Sequence, residues 1–378
     1  ISKQYITSTR LLASKKGELH NQTVQFSRDS FQVKEDNNQW IITMEGYSNN
    51  GLKIKKEFLL TKGEYLIRTR YIIDNDSEES WNGALSTAFS QNNPKEDTSS
   101  LFHLGSYSGA AISIPGEKLY KKISYGDMAK ESFEQKVTDG WVAMQQHYFL
   151  TAWIPSTGSK NTFYTQMVHN NNGDLYSIGM LSAPIHLAPQ QTYEISSGLY
   201  IGPELTNVLK GIAPGLELTI DYGWLSFISV FIFFILEHIH QFVGNWGWSI
   251  ILVTLLIKLV FYRLSEKSYT SMANMRKLQP KLEALRQRFA DDKAAMSKAT
   301  MELYRQEKVN PLGGCLPTVV QVPVFIALYW VILESVQLRQ APFIFWIHDL
   351  SVPDPYYILP IIMGLTMLIQ QKLNPPPP

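Results

Sequence analysis

Residues 312–333 form a run of twenty-two without a charged side chain. At about 1.5 Å per residue, a helix of that length crosses a hydrocarbon core of about 30 Å, so part of this chain is built for a membrane. A second run, residues 246–262 (WGWSIILVTLLIKLVFY), is apolar except for Lys258. Trp246 and Trp248 at one end and Tyr262 with Arg263 at the other are the side chains that anchor a span at its two interfaces. Residues 356–369 begin a third, shorter run. The first 207 residues are a different material, polar and rich in Asn, Ser, Thr and Tyr. A net charge of +1 and 45% hydrophobic residues average over this division and hide it. The expected class is multi-domain: a water-soluble all-β domain, then an α-helical polytopic membrane domain.

Up to about residue 203, apolar residues alternate over short segments separated by turn residues. Residues 40–44, 53–60, 65–73, 147–154, 162–168 and 193–201 read as strands. Thr61-Lys62-Gly63-Glu64 is a hairpin turn between two of them, and Asn49-Asn50-Gly51 and Asn170-Asn171-Asn172-Gly173 mark further turns. This pattern predicts a large antiparallel sandwich over residues 1–207. Residues 208–223, with Gly211, Pro214 and Gly215, read as a linker. Residues 224–241 have an apolar core, 227–236, that is short for a span and ends in Glu237, His238 and His240, so they are expected to lie in the membrane interface. The remaining segments are a transmembrane helix at 246–264, a helical hairpin at 265–310, a transmembrane helix at 311–334, a loop at 335–355 and the start of a further transmembrane helix at 356–371. The chain opens without Met or a signal-peptide pattern and stops soon after its third run. An upstream targeting segment and additional spans are therefore expected.

From Arg263 to Lys308 there are eleven Lys or Arg against six Asp or Glu, while residues 334–354 hold one Arg, Arg339. The positive-inside rule makes 265–310 cytoplasmic and 335–355 external, and it exports the sandwich if 224–241 does not cross. Within the basic segment Met272, Met275, Leu278, Leu282, Leu285 and Phe289 recur at spacings of three and four, and Met296, Thr300 and Leu303 resume the pattern after Asp291-Asp292. Two antiparallel helices with a seam of their own are expected, the first kinked or restarted at Pro280. Arg276, Lys277, Lys281, Arg286 and Arg288 then form either a solvated topogenic face or a surface for ribosomal RNA or acidic lipid. No aromatic residues interleave with them as base-stacking platforms do.

Lys258 is the residue with chemistry in the spans. An intramembrane ammonium normally faces a protein interior or a wet cavity and marks a functional site. It also sits only four residues before Tyr262, about 6 Å along a helix, within reach of the interface by snorkelling. Both readings stand on this run alone. Ser249 and Thr254 on the same span and Thr318 and Gln321 on the next can keep such a cavity wet or can bond helix to helix. The single cysteine, Cys315, allows no intrachain disulfide and no cysteine metal cluster. No phosphate-binding GxxxxGK[ST] loop occurs, and no cofactor or metal is expected. An envelope enzyme would have to use His103, His147 or His169, none of which has a carboxylate or second histidine at ligand spacing. A solute transporter or channel subunit with an exported binding domain predicts inverted repeats and paired mid-membrane charges, whereas this chain has one such charge and no repeat.

Seven ordered motifs carry a resemblance: Gly244-Asn245-Trp246-Gly247-Trp248-Ser249-Ile250, Tyr269-Thr270-Ser271-Met272-Ala273, Leu278-Gln279-Pro280-Lys281, the stretch from Glu307 through Asn310-Pro311-Leu312-Gly313-Gly314 to Cys315, Leu338-Arg339-Gln340-Ala341-Pro342-Phe343, Trp346-Ile347-His348-Asp349-Leu350-Ser351, and Asp354-Pro355-Tyr356-Tyr357-Ile358-Leu359-Pro360. In these the chain resembles the YidC membrane protein insertases of Gram-negative bacteria. The resemblance implies a multi-pass inner-membrane protein with a periplasmic β-supersandwich, an interfacial helix at 224–240, and a helical core around a hydrophilic groove open to cytosol and lipid. It implies a chaperone-like insertase rather than an enzyme. Its implied partners are nascent membrane proteins, the phospholipid bilayer, the ribosome at the cytoplasmic hairpin and the Sec translocon, with a monomer favoured. Lys258 falls at the family's groove arginine; the charge is kept and the bidentate fork is lost. Arg263 replaces a residue that tends to be proline, so the helix is expected to run on.

Overall fold

The computed structural model describes residues 5–92, 107–169, 173–289, 292–307, 309 and 316–373. They form two compact units, Ile1–Asp221 and Tyr222–Pro378. The first unit begins with β1 (Tyr5–Lys15), β2 (Glu18–Gln22), β3 (Val24–Phe26), β4 (Gln32–Asp36), β5 (Gln39–Ser48), β6 (Leu52–Thr61), β7 (Leu66–Asn75) and β8 (Trp81–Asn92). It continues with β9 (Gly109–Ile114), β10 (Lys118–Ile123), α1 (Tyr125–Lys130), β11 (Glu134–Thr138), β12 (Trp141–Gln146) and β13 (Phe149–Pro155). The last elements of the unit are β14 (Lys160–Val168), β15 (Leu175–Ser182), β16 (Ile185–Leu187), β17 (Thr192–Pro203) and α2 (Thr206–Lys210).

The strands pair antiparallel into two sheets. One runs β11-β14-β15-β8-β1-β2 with β16 on β8; the other runs β10-β9-β12-β13-β17-β7-β6-β5-β3 with β4 on β5. At the expected 61–64 turn, the Glu64 amide donates to Thr61 O at 3.1 Å, and Gly63 takes φ +85°, where a Cβ would be strained. Period-2 alternation sends Phe89 and Ile178 from one sheet, and Ile112, Met144 and Trp153 from the other, into a shared core. Phe89 stacks on Trp153 with ring centres 5.9 Å apart. The core continues through Leu11 and Leu85 against Leu52, Ile54, Tyr71 and Ile73.

The second sheet is covered on its other face as well. Ala111, Trp141, Ala143, Leu150, Ala152 and Tyr200 pack on Leu209, Ala213 and Leu216. These last three belong to the segment expected to be a linker, and the structure corrects that reading. The Trp141 indole donates to Pro214 O at 3.1 Å. Gln145 Nε2 donates to Glu204 Oε1 at 3.0 Å and Thr219 O at 2.9 Å, and its Oε1 accepts from the Tyr120 hydroxyl at 2.8 Å. Apolar residues three and four apart made a lid here, and Pro and Gly between them disguised it.

The second unit comprises α3 (Ser226–Val243), α4 (Trp246–Val260), α5 (Tyr262–Lys277), α6 (Gln279–Arg288), α7 (Lys293–Gln306), α8 (Leu316–Glu334) and α9 (Ile358–Leu373). Gly244 ends α3 at φ +69°, and its amide returns to His240 O at 2.7 Å. Ile232, Phe233 and Leu236 of α3, Val253 of α4, and Ala327, Leu328 and Val331 of α8 are buried. The Ser229 hydroxyl donates to Ala327 O at 3.2 Å, joining α3 to α8. The remaining faces stay apolar and exposed, with Phe227, Phe231 and Phe234 on α3, Leu255 and Leu259 on α4, and Ile361, Leu365 and Leu368 on α9. So much open apolar surface suits hydrocarbon rather than water.

By length and composition Gly223–Val243 is able to cross a membrane, and Trp246–Val260 with Tyr262–Met275 passes as one span bent by 59°. Val319–Glu334 and Ile358–Leu373 are apolar and shorter, each about 24 Å of helix. Helix does run on through Arg263, as expected, but with a bend: it is interrupted at Phe261, whose amide still reaches Ile257 O at 3.1 Å.

The lid over the second sheet is testable. Leu216→Ala should destabilise the first unit by about 2–5 kcal/mol in denaturant titration, the cost of a core truncation; a change within about 0.5 kcal/mol would return this segment to linker status.

Candidate functional site in the helical unit

Asn245 fixes the start of α4. Its Oδ1 accepts from the Trp248 amide at 3.2 Å, while its Nδ2 donates to Pro342 O at 3.2 Å and Phe343 O at 3.0 Å. One side chain thus caps a helix and ties down the loop before α9. Gly247 lies flush against that loop: a Cβ there would stand 2.1 Å from the Phe343 ring. The loop is itself built. The Trp346 indole donates to Asp354 Oδ1 at 3.0 Å, and Asp354 also accepts from the Leu359 amide at 2.8 Å and the Tyr356 amide at 3.0 Å. These donors, the Leu359 amide foremost, hold the Asp354 carboxyl below its ordinary pKa.

Along α4 the three polar residues differ in role. Ser249 is buried and its hydroxyl donates to Asn245 O at 2.8 Å, so it packs the helix instead of wetting a groove. It also stands nine residues from Lys258, about 13 Å along the axis. Thr254 donates to Ile250 O at 2.8 Å and lies one turn before Lys258. Lys258 is exposed and reaches α8, where its Nζ stands 5.0 Å from the centre of the Phe325 ring. Among the described residues it forms no ion pair.

Gln321 precedes Phe325 by one turn of α8, and its Nε2 donates to Ser265 Oγ of α5 at 3.2 Å. The bend at Phe261 keeps Ser265, seven residues after Lys258, on this same α8 face. A cation, an amide and a hydroxyl therefore line one seam between α4, α5 and α8. Phe325 and Ser265 were not singled out from the sequence; one-turn spacing from Gln321 and two-turn spacing from Lys258 were the available signals. The Thr318 side chain lies outside the described residues.

The basic segment folds as α5, α6 and α7. Leu278 is buried where α5 stops, and α6 restarts with Pro280 in its first turn. Asp292 starts α7 by accepting from the Ala294 and Ala295 amides. The expected seam is shallow: Leu282, Leu285, Met296 and Leu303 are half-buried and Met272 is exposed. Lys277, Lys281, Arg286 and Arg288 are exposed. Lys281 pairs with Glu307 after α7, and the Arg288 guanidinium lies 5.7 Å from the Phe289 ring. The Arg276 side chain lies outside the described residues. In the sandwich, His169 Nδ1 is 2.6 Å from Asp174 Oδ1 and His147 stacks on Tyr148; His103 lies outside the described residues. Among the described residues no three metal-ligating side chains converge.

The family profile of the YidC periplasmic domain matches residues 2–235, and that of the 60Kd inner membrane protein matches residues 238–378. The chain belongs to the YidC family. Among its relatives is the membrane protein insertase YidC of Legionella pneumophila (strain Paris), 58% identical over 350 residues, which are 93% of this chain and 62% of that protein. The insertase YidC of Coxiella burnetii (strain Dugway 5J108-111) is 48% identical over 360 residues, 94% of this chain and 63% of that one. That of Pseudomonas putida (strain W619) is 49% identical over 350 residues, 92% and 62%. This YidC-family chain thus spans about three-fifths of the curated relatives it matches. Similarity to solved structures is slight: an alpha-galactosidase from Lactobacillus brevis aligns with a TM-score of 0.36 at 9% identity, over 53% of this chain and 30% of that one.

A double-mutant cycle on Gln321→Leu and Ser265→Ala, read by thermal unfolding in detergent, should show a coupling of about 0.6 kcal/mol, the usual size for an interhelical hydrogen bond. Strict additivity would mean that the two side chains do not meet. Ser249→Ala, with only a local backbone bond to lose, should change stability less than either single variant.

Proposed function

We propose that this YidC-family chain belongs to an inner-membrane insertase that moves short polar segments of nascent membrane proteins across the bilayer while their apolar segments slide into lipid. The observation that carries the reading is Lys258: an ammonium on an apolar helix, without an ion pair among the described residues, standing on the Phe325 ring beside Gln321. Such a group attracts carboxylates and carbonyl dipoles of an incoming chain at long range, and water drawn to it lowers the cost of carrying unpaired polar groups through hydrocarbon. No covalent step is involved. The driving force is the partitioning of the apolar segments into lipid, with Thr254 and Gln321 extending the polar lining.

Topology supports the same reading. An exported sandwich and a cytoplasmic 263–308 segment require an odd number of crossings between them. The helix α4 supplies one, so α3 lies in the interface with its phenylalanine face in the acyl region, despite being long enough to cross. The exposed Lys277, Lys281, Arg286 and Arg288 then face the cytoplasm, placed to meet acidic lipid or a ribosome, and the Sec translocon is the expected collaborator for larger substrates.

The test is reconstitution of the full-length protein in liposomes with a two-span substrate, insertion being read by protease protection. Lys258→Ala should reduce insertion at least tenfold and Lys258→Arg should restore it. Equal insertion by all three proteins would make Lys258 a snorkelling residue and remove the groove cation from the mechanism.

A further inference from the structure

The alternation of β6 contains a breach. Leu52 and Ile54 point into the core between the sheets, and the next inward position is Lys56. It stands opposite Tyr71 in the β6–β7 register. Its Nζ hydrogen-bonds Thr9 Oγ1 of β1 at 2.8 Å and lies 4.8 Å from the Phe26 ring and 5.5 Å from the Tyr71 ring. Burial lowers the Lys56 pKa. No carboxylate pairs with it among the described residues, so two of its three N–H donors remain open.

Two further buried polar atoms share this surrounding. Gln22 Oε1 accepts from the Trp81 indole at 2.9 Å. An indole N–H can only donate, so the amide orientation is fixed and Nε2 points away from Trp81; it is buried without a hydrogen-bond partner. The Tyr71 hydroxyl is likewise buried and unpartnered, with the Thr9 and Thr69 hydroxyls near it but out of bonding geometry. Lys56, Gln22 and Tyr71 all line one cavity of about 270 Å³ between β1–β2 and β6–β7. Arg10 is an exposed second cation in the lining, which contains no Asp or Glu. The other walls include Leu11, Val24, Ile54, Ile73 and Leu85.

A lysine turned inward and two orphaned polar groups would each cost stability in a plain core. Their convergence is what an anion with an apolar tail requires. We infer that the first unit holds a binding site for a small carboxylate bearing a short aliphatic tail, with Lys56, Gln22 Nε2 and the Tyr71 hydroxyl donating to the carboxylate and Leu11, Ile54 and Leu85 enclosing the tail. Such a head group belongs either to a free short-chain acid or to the C-terminal end of an apolar polypeptide. This site is independent of the Lys258 seam.

The experiment is saturation-transfer NMR on the full chain in a neutral maltoside detergent, with hexanoate as probe. Saturable hexanoate binding is expected, absent for hexylamine and not competed by inorganic phosphate. Lys56→Met and Gln22→Glu should each weaken it at least tenfold, with folding checked by circular dichroism; Gln22→Glu keeps the acceptor for Trp81 while placing a like charge against the ligand. Displacement by an apolar hexapeptide with a free C-terminus, but not by its amide, identifies a polypeptide end as the source; displacement by neither identifies a free acid. The inference is overturned if hexanoate does not saturate, if folded Lys56→Met and Gln22→Glu bind as wild type does, if hexylamine binds equally, or if phosphate displaces the probe.

Discussion

Apolar surroundings leave a backbone amide or carbonyl no water to turn to, and the helical unit depends on the few side chains that answer for this. Asn245 is the clearest. It satisfies one of the open amides in the first turn of α4, that of Trp248, and at the same time two carbonyls of the loop before α9. Around it the chain has almost no freedom: Gly244 must take a left-handed conformation to close α3, and Gly247 must lack a Cβ for Phe343 to approach. Asp354 does the same for the start of α9, and the serine and threonine hydroxyls of α4 return to their own carbonyls.

The sandwich solves a different problem. Its larger sheet is covered on both faces, so β9 and β12 carry apolar residues at consecutive positions (GAAISI, WVAM) where an ordinary surface strand alternates. The alanines at 110, 111, 143 and 152 keep both coverings close. The lid from α2 to Thr219 carries the domain's core past the last strand, and the Gln145 amide ties β12 to the lid through Thr219 O, to Glu204 just before the lid and to Tyr120 of β10.

Much of this could be read from the residues. Period-2 stretches such as 53–60 and 193–201 announced their strands because one face is apolar, and Gly63 announced its turn because the backbone there is closed to other residues. The apolar helices followed from uncharged runs, as at 246–260 and 319–334. Three features escaped for physical reasons. Residues 208–221 carry the composition of a connector, and only the tertiary partner Trp141 shows that Leu209, Ala213 and Leu216 form one face. The break at Phe261 occurs without proline, so no local signal marked it. The partners of Lys258 and Gln321 lie on other helices, and a single sequence pairs no helices. Lys56 was legible in principle, as the charged member of an otherwise inward row, but on a half-buried strand one such residue is easily taken for a register slip.

The contact between Lys258 and Phe325 has a consequence for timing. A ring quadrupole holds an ammonium by about 0.5–2 kcal/mol, which corresponds to an occupancy ratio of about 2 to 30. A carboxylate in the same place would hold it far longer, because breaking a desolvated ion pair leaves two charges unanswered. Resting on an aromatic face, the side chain has a defined home and a short residence there, so the ammonium can leave the ring and return without an ion pair to break.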